Sequence, residues 1–178
     1  PDHDDPTIVQ DPLRRNAFRY REDDPDGRRT PVGSHIRRVN PRDALDGTIS
    51  DARTHRLLRR GSAYGPLLAE GLLDEDGEDR GIVLAIVNAD PARQFEFVQS
   101  QWVNDGDFVG EGSRSDPIVG RRDRANDYSY PSRPVRKHLK TMPDFTVVRG
   151  GEHLFLPSLS ALRWMTELTG GVGDEEEK

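Results

Sequence analysis

Apolar positions along the chain fall into separated groups, and each group suggests an element. From Asp43 to Arg60, Leu45, Ile49, Ala52 and Leu57 recur at helical spacing with Asp43 placed to cap, so the pattern predicts a helix that Gly61 to Gly65 breaks. Leu67-Leu68 and Leu72-Leu73 then lead into an acidic loop, Asp74 to Asp79, that reads as a solvated turn. Gly81 to Asn88 is β-branched almost throughout and predicts a strand buried on both faces. Asp90-Pro91 suits the cap and first position of a helix carrying Phe95, Phe97, Val98 and Trp102. Residues 105–143 show no sustained period. Phe145 to Val148 and His153 to Leu156 flank Arg149-Gly150-Gly151-Glu152 and predict a hairpin or bulged strand. Pro157 opens a final amphipathic helix with Leu159, Leu162, Trp164, Met165 and Leu168, which Gly170-Gly171 stops.

Helix, strand, helix, strands and helix in that order favour an α+β fold with an antiparallel sheet. Residues 1–32 read as an extended entry segment rich in Pro, Asp, Gly and Arg. Residues 33–170 read as the folded domain, and 171–178 as a frayed acidic tail.

The chain has 178 residues, long enough for a core, yet 33% are charged and 33% hydrophobic, so much of it is expected to be irregular surface. A net charge of −6 gives no general attraction to nucleic acid or anionic lipid, and no apolar run suffices for a membrane span. Neither nucleic acid nor membrane is therefore an expected partner. Absence of cysteine excludes disulfides, thiolate catalysis, cysteine-ligated zinc and iron–sulfur clusters. Pro1 to Asp5 is acidic without an apolar core, which does not suit a signal peptide. A first residue other than methionine suggests a processed piece or a portion of something longer. Nothing in the composition chooses between a cytoplasmic and an exported protein.

The stretch Gly33-Ser34-His35-Ile36-Arg37-Arg38-Val39-Asn40-Pro41-Arg42 carries the candidate chemistry. A neutral imidazole can bind a metal axially, and guanidinium groups on Arg37, Arg38 and Arg42 could grip the carboxylates of a cofactor. Other constellations are weaker. His3-Asp4-Asp5 reads as a solvated terminus, and His55, His138 and His153 lack ligand spacing. Arg149 to Glu152 lacks the lysine of a phosphate loop, and Arg121 to Arg124 mixes charge signs.

An ordered set of segments resembles the dye-decolorising peroxidases. After Gly33 to Arg42 come Arg56 to Gly65, Gly81 to Asp90, Arg93 to Gln99, Trp102-Val103-Asn104, Asp116-Pro117-Ile118-Val119-Gly120, Val147 to Glu152 and Leu156 to Leu159. The resemblance runs from about residue 31 to 168. It implies a haem b peroxidase made of two ferredoxin-like halves, of which this chain resembles the C-terminal, haem-ligating one.

On that resemblance His35 binds iron and Asp116 accepts its other ring N–H, with Asp144 as second choice. Arg59 falls where the family places its distal arginine, with Arg56 and Arg60 close in register. Leu84 and Ile86 share one strand face and would wall the distal pocket. Hydrogen peroxide and dye-like or phenolic electron donors are the implied substrates, and a second copy of the chain is a further candidate partner. Trp102, Trp164, Tyr64, Tyr128 and Tyr130 are candidate entry points for electrons from bulky donors. The family's distal acid, in a Gly-x-x-Asp-Gly motif, has no match here. Gly71-Leu72-Leu73-Asp74-Glu75 lacks the second glycine and follows the histidine, so a companion N-terminal chain or segment is expected to supply it. The alternative is a non-catalytic haem-binding or interaction domain.

Overall fold

The computed structural model describes residues 11–48, 51–71, 76–108, 115–121 and 127–170. Ile49, Leu72 to Glu75, Arg122 to Arg124 and both termini, each used in expectations above, lie outside them. The chain divides into two units, Pro1–Thr146 and Val147–Lys178.

The first unit opens with two single-turn helices, α1 (Pro12–Arg15) and α2 (Tyr20–Asp23), in what the composition suggested was extended chain. Asp24 ends α2 and organises the loop after it, its carboxylate accepting from the backbone N–H of Arg28 at 2.7 Å and Thr30 at 2.8 Å. A third short helix, α3 (His35–Val39), follows.

The helix expected over Asp43 to Arg60 is replaced by three elements: 3-10 turns at Arg42–Leu45 and Ala52–His55, then a strand, β1 (Leu58–Tyr64). Local spacing loses here to long-range pairing, because β1 is hydrogen-bonded antiparallel to β2 (Gly81–Val87) from Leu58 opposite Val87 to Tyr64 opposite Gly81. Gly61 is no breaker. It lies mid-strand, where a Cβ would come within 3.4 Å of the Ile82 side chain.

The strand expectation for β2 holds, but its burial does not. Paired among the described residues with β1 alone, it leaves Ile82, Val83, Leu84 and Val87 exposed. At the far end of the hairpin Arg80 grips Asp76 with two bonds of 2.5 and 2.6 Å and donates to the Pro66 carbonyl. That hydrogen bonding pulls the exposed Asp76 carboxyl down to about 2.

After the Asp90 turn, α4 (Phe95–Phe97) continues as a π-helical segment, Val98–Val103. This segment supplies the core: Val98, Trp102 and Val103 are buried with Phe108, and Val39, Leu45, Ala52 and Phe97 pack on them. His55 lies flat on Phe97, centroids 3.8 Å apart, and edge-on to Trp102. It is a half-buried histidine stacked at the edge of the core, one of the two settings, surface or core, that its lack of ligand spacing suggested. A small antiparallel ladder, β3 (Tyr128–Tyr130) with β4 (Lys137–Leu139), lies within residues 105–143.

In the second unit the hairpin expected around Arg149 to Glu152 is absent among the described residues, which run without strand pairing to α5 (Leu159–Gly170). The final helix was therefore legible and the strands before it were not. Antiparallel two-stranded sheets with short helices make the molecule α+β, as expected.

Candidate functional site

Ser34 has extended backbone and starts α3, which puts His35 at the first position of a one-turn helix. Its ring Nδ1 lies 2.9 Å from Oδ2 of Asp116, 81 residues away in sequence. The Asp116 side chain is wholly buried while that of His35 is 35% exposed. The second oxygen, Oδ1, accepts from the backbone N–H of Ile118 at 2.8 Å and Val119 at 3.0 Å, a turn that Asp-Pro favours. Burial works against the charged carboxylate. The hydrogen bonds from His35, Val119 and Ile118 outweigh it and hold Asp116 below its ordinary value. An ionised carboxylate has no proton to give, so His35 Nδ1–H must be the donor.

Gly120 closes the turn with its N–H on the Asp116 carbonyl. A Cβ there would lie 2.5 Å from that carbonyl oxygen and 2.7 Å from the Asp116 nitrogen. Asp144, the alternative acceptor, is exposed, and Asp116 holds the histidine.

The arginines beside His35 point elsewhere than expected. Arg37 is 3% exposed, donates to the carbonyls of Asp24 and Thr30, and pairs with the Asp24 carboxylate at 3.5 Å. Arg38 is 1% exposed and donates to the carbonyls of Gly33, Trp102 and Asp105. The expectation that these two grip a cofactor is corrected by this inward orientation. A buried guanidinium must satisfy its donors inside the chain, and carbonyls at loop and helix ends are the nearest acceptors. Arg42 is the more open of the three: its guanidinium lies 3.9 Å over the Phe18 ring on the wall of a cavity of about 770 Å³ that Arg56 also lines. It adopts a left-handed backbone (φ 52°) and bonds the Asn16 carbonyl.

Register separates the three candidate distal arginines. Arg59 stands opposite Ile86, and Gly61 opposite Leu84, so Arg59, Leu84 and Ile86 share one face of the hairpin. Arg60, opposite Ala85, is on the other face, and Arg56 precedes the strand.

One imidazole nitrogen is tied to a buried carboxylate, and the other, Nε2, has no hydrogen-bond partner among the described residues. These residues include no group of three His, Cys, Asp or Glu able to hold an ion by themselves. A lone imidazole backed by a carboxylate could supply one ligand to a metal whose other ligands come from a cofactor.

No protein-family model matches the chain. Dye-decolorizing peroxidase msp1 of Mycetinis scorodonius is 32% identical over 176 residues, which cover 90% of this chain and 34% of that protein. A crystal structure of a dye-decolorizing peroxidase with cyanide superposes with a TM-score of 0.72 at 30% identity, over 89% of this chain and 36% of the other. The chain belongs to the dye-decolorising peroxidases. A further peroxidase of this family, in complex with 2,6-dimethoxyphenol, matches with a TM-score of 0.61 at 28% identity, over 80% of this chain and 33% of the other. The chain thus spans about a third of the length of the dye-decolorising peroxidases it matches.

Sequence reasoning missed Asp24 and the carbonyls of residues 102–105, which hold the two buried arginines. No side-chain pattern marks a backbone acceptor. Asp116 itself was reached from the family resemblance, and the turn that aims it at His35 was not read from the sequence.

Proposed function

We propose that this chain is the haem-ligating part of a dye-decolorising-type peroxidase, in which His35 would hold the iron of haem b. The observation that carries the reading is the 2.9 Å bond from His35 Nδ1 to the buried Asp116 carboxylate. Such a bond fixes the ring's tautomer and orientation and raises the basicity of Nε2, which is what a ligand to oxidised iron needs. When bound, the haem would supply two-electron reduction of hydrogen peroxide to water, balanced by two one-electron donors.

Arg59, with its fixed charge, would stabilise the anion that develops as the peroxide bond breaks, while Leu84 and Ile86 on the same face would exclude water. Arg42, on a cavity wall, would take a haem propionate. Phenols and dyes are the proposed donors, supported by the relative that binds 2,6-dimethoxyphenol. An acid–base group would come from a companion Gly-x-x-Asp-Gly segment, because the described hairpin face around Leu84 is half exposed and presents no carboxylate. The same exposure supports the second reading, a haem-binding or interaction domain without turnover.

Titrating the purified chain with haemin tests the proposal. Wild type should develop a Soret band with one-to-one stoichiometry, and His35→Ala should weaken binding at least about tenfold and shift the band, one tenfold step being about 1.4 kcal/mol. Identical spectra and affinities for the two would remove His35 as ligand. Turnover that appears only when a Gly-x-x-Asp-Gly polypeptide is added would favour the peroxidase over the second reading.

A further inference from the structure

We infer that Arg38 is a positioning residue: it fastens the His35 helix to the same backbone turn, residues 102–105, that fastens Asp116. The helix α3 has five residues and too few internal bonds to hold a fixed direction alone. Its orientation must come from outside contacts, and the two buried arginines provide them on different sides.

Arg37 ties α3 back to the Asp24 loop. Arg38 ties it forward, through Nε to Gly33 (3.0 Å) and through one guanidinium nitrogen to the carbonyls of Trp102 (2.8 Å) and Asp105 (3.0 Å). Trp102 and Val103 end the π-helical segment, where carbonyls lack partners further along the helix. The guanidinium fills the first, and its charge suits a helix C-terminus. The next carbonyl, that of Val103, accepts from the Asp116 N–H at 2.7 Å. A second tie, from Arg121 N–H to Asn104 Oδ1 at 2.7 Å, fixes the far end of the Asp116 turn to the same place. The Arg38 guanidinium carbon also lies 5.2 Å from the centroid of the buried Phe108 ring.

Ring and acceptor are therefore held from adjacent carbonyls of one rigid turn, which sets the distance between two residues 81 apart in sequence. Arginine suits the task because its planar fork has donors in fixed directions and keeps its charge when buried. Lysine would offer a single rotating ammonium. The inference rests on the proposed ligand role of His35 for its functional meaning, but its geometry does not require haem.

Histidine-selective nitrogen-15 NMR of the whole chain without haem, at about pH 8 where imidazole is ordinarily neutral, reads the tautomer directly. Wild type should show His35 as a single Nδ1–H form. Arg38→Lys and Arg38→Met should raise the Nε2–H form from undetectable to a major population, with the lysine variant the milder. Arg37→Met is the control, since it removes an equally buried guanidinium from the same helix. It should lower the unfolding midpoint and leave the tautomer unchanged. Retention of the wild-type pattern in Arg38→Lys, or equal disturbance in Arg37→Met, would overturn the inference. Should Arg38→Met fail to fold, the lysine variant alone decides. In haemin-loaded protein, Arg38→Lys and Asp116→Asn should raise the ferric–ferrous potential in the same direction, and opposite shifts would also overturn it. Failure to take up haem, with the tautomer change observed, would instead sink the proposed function and leave this inference standing.

Discussion

The two regions that the proposed function brings together, the His35–Asp116 pair and the β1–β2 hairpin, are built in opposite ways. On the histidine side the groups that hold the ring are buried and bonded: Arg38 is 1% exposed, Asp116 2% and Val103 1%, and each is bonded within the same unit. On the arginine side, the β1–β2 hairpin has a complete backbone ladder and almost no cover, with Leu84 52% exposed and Ile82 73%. The first region is thus assembled by this chain's own packing. The second is positioned by register alone, and its apolar face awaits something to lie against it. A strand with apolar residues on both faces is the pattern of an interior strand, so the hairpin carries the sequence of a larger sheet than the one described here.

The sharpest way to break this contrast is a matched pair of truncations. Trp102→Ala, at the centre of the buried cluster, should cost about 3–5 kcal/mol in urea unfolding. Leu84→Ala should cost under about 1 kcal/mol, since little of that side chain leaves water on folding. Similar losses in both would mean that the hairpin is covered after all.

Gly120→Ala tests how tightly the histidine side is built. Its added methyl would meet backbone atoms of Asp116, which cannot rotate away as a side chain can, so a loss of about 1–3 kcal/mol is expected together with weaker haem binding. A neutral result would show that the turn has slack.

Asp116→Asn should cost about 1–2 kcal/mol near neutral pH, at the low end for a charged hydrogen bond because the His35 ring is one-third exposed. The pH dependence has a definite sign. Asp116 is held below its ordinary value in the folded chain, so its contribution is complete above the unfolded value and is lost as pH falls through the folded one. The gap in thermal midpoint between wild type and Asp116→Asn should therefore close as the pH falls below about 4. A gap that closed on raising the pH would contradict the assigned direction.

Arg59→Leu should have the smallest effect on stability, within about 0.5 kcal/mol, because its exposed side chain has no bonded partner among the described residues. In haem-loaded protein the same change should slow the reaction with peroxide at least about tenfold. Arg60→Leu, on the opposite face, should leave that rate unchanged. Equal slowing by both would mean that strand register does not select the distal arginine.

Several features of this protein were determined by the sequence alone. The β-branched run Gly81 to Asn88 made a strand and the periodic leucines after Pro157 made a helix, since each needs only neighbours a few residues away. Ordered segments likewise carried the family. Other features were decided only by tertiary structure. Leu45, Ala52 and Leu57 look helical in isolation, but pairing Leu58 to Tyr64 with β2 turns that stretch into turns and a strand. Arg37 and Arg38 look like a surface grip for an anionic cofactor, yet burial directs them to carbonyls of loops and helix ends that no side-chain pattern announces. Periodicity records which side of an element is apolar, whereas the partner that completes a ladder or accepts a buried proton is fixed only when distant segments meet.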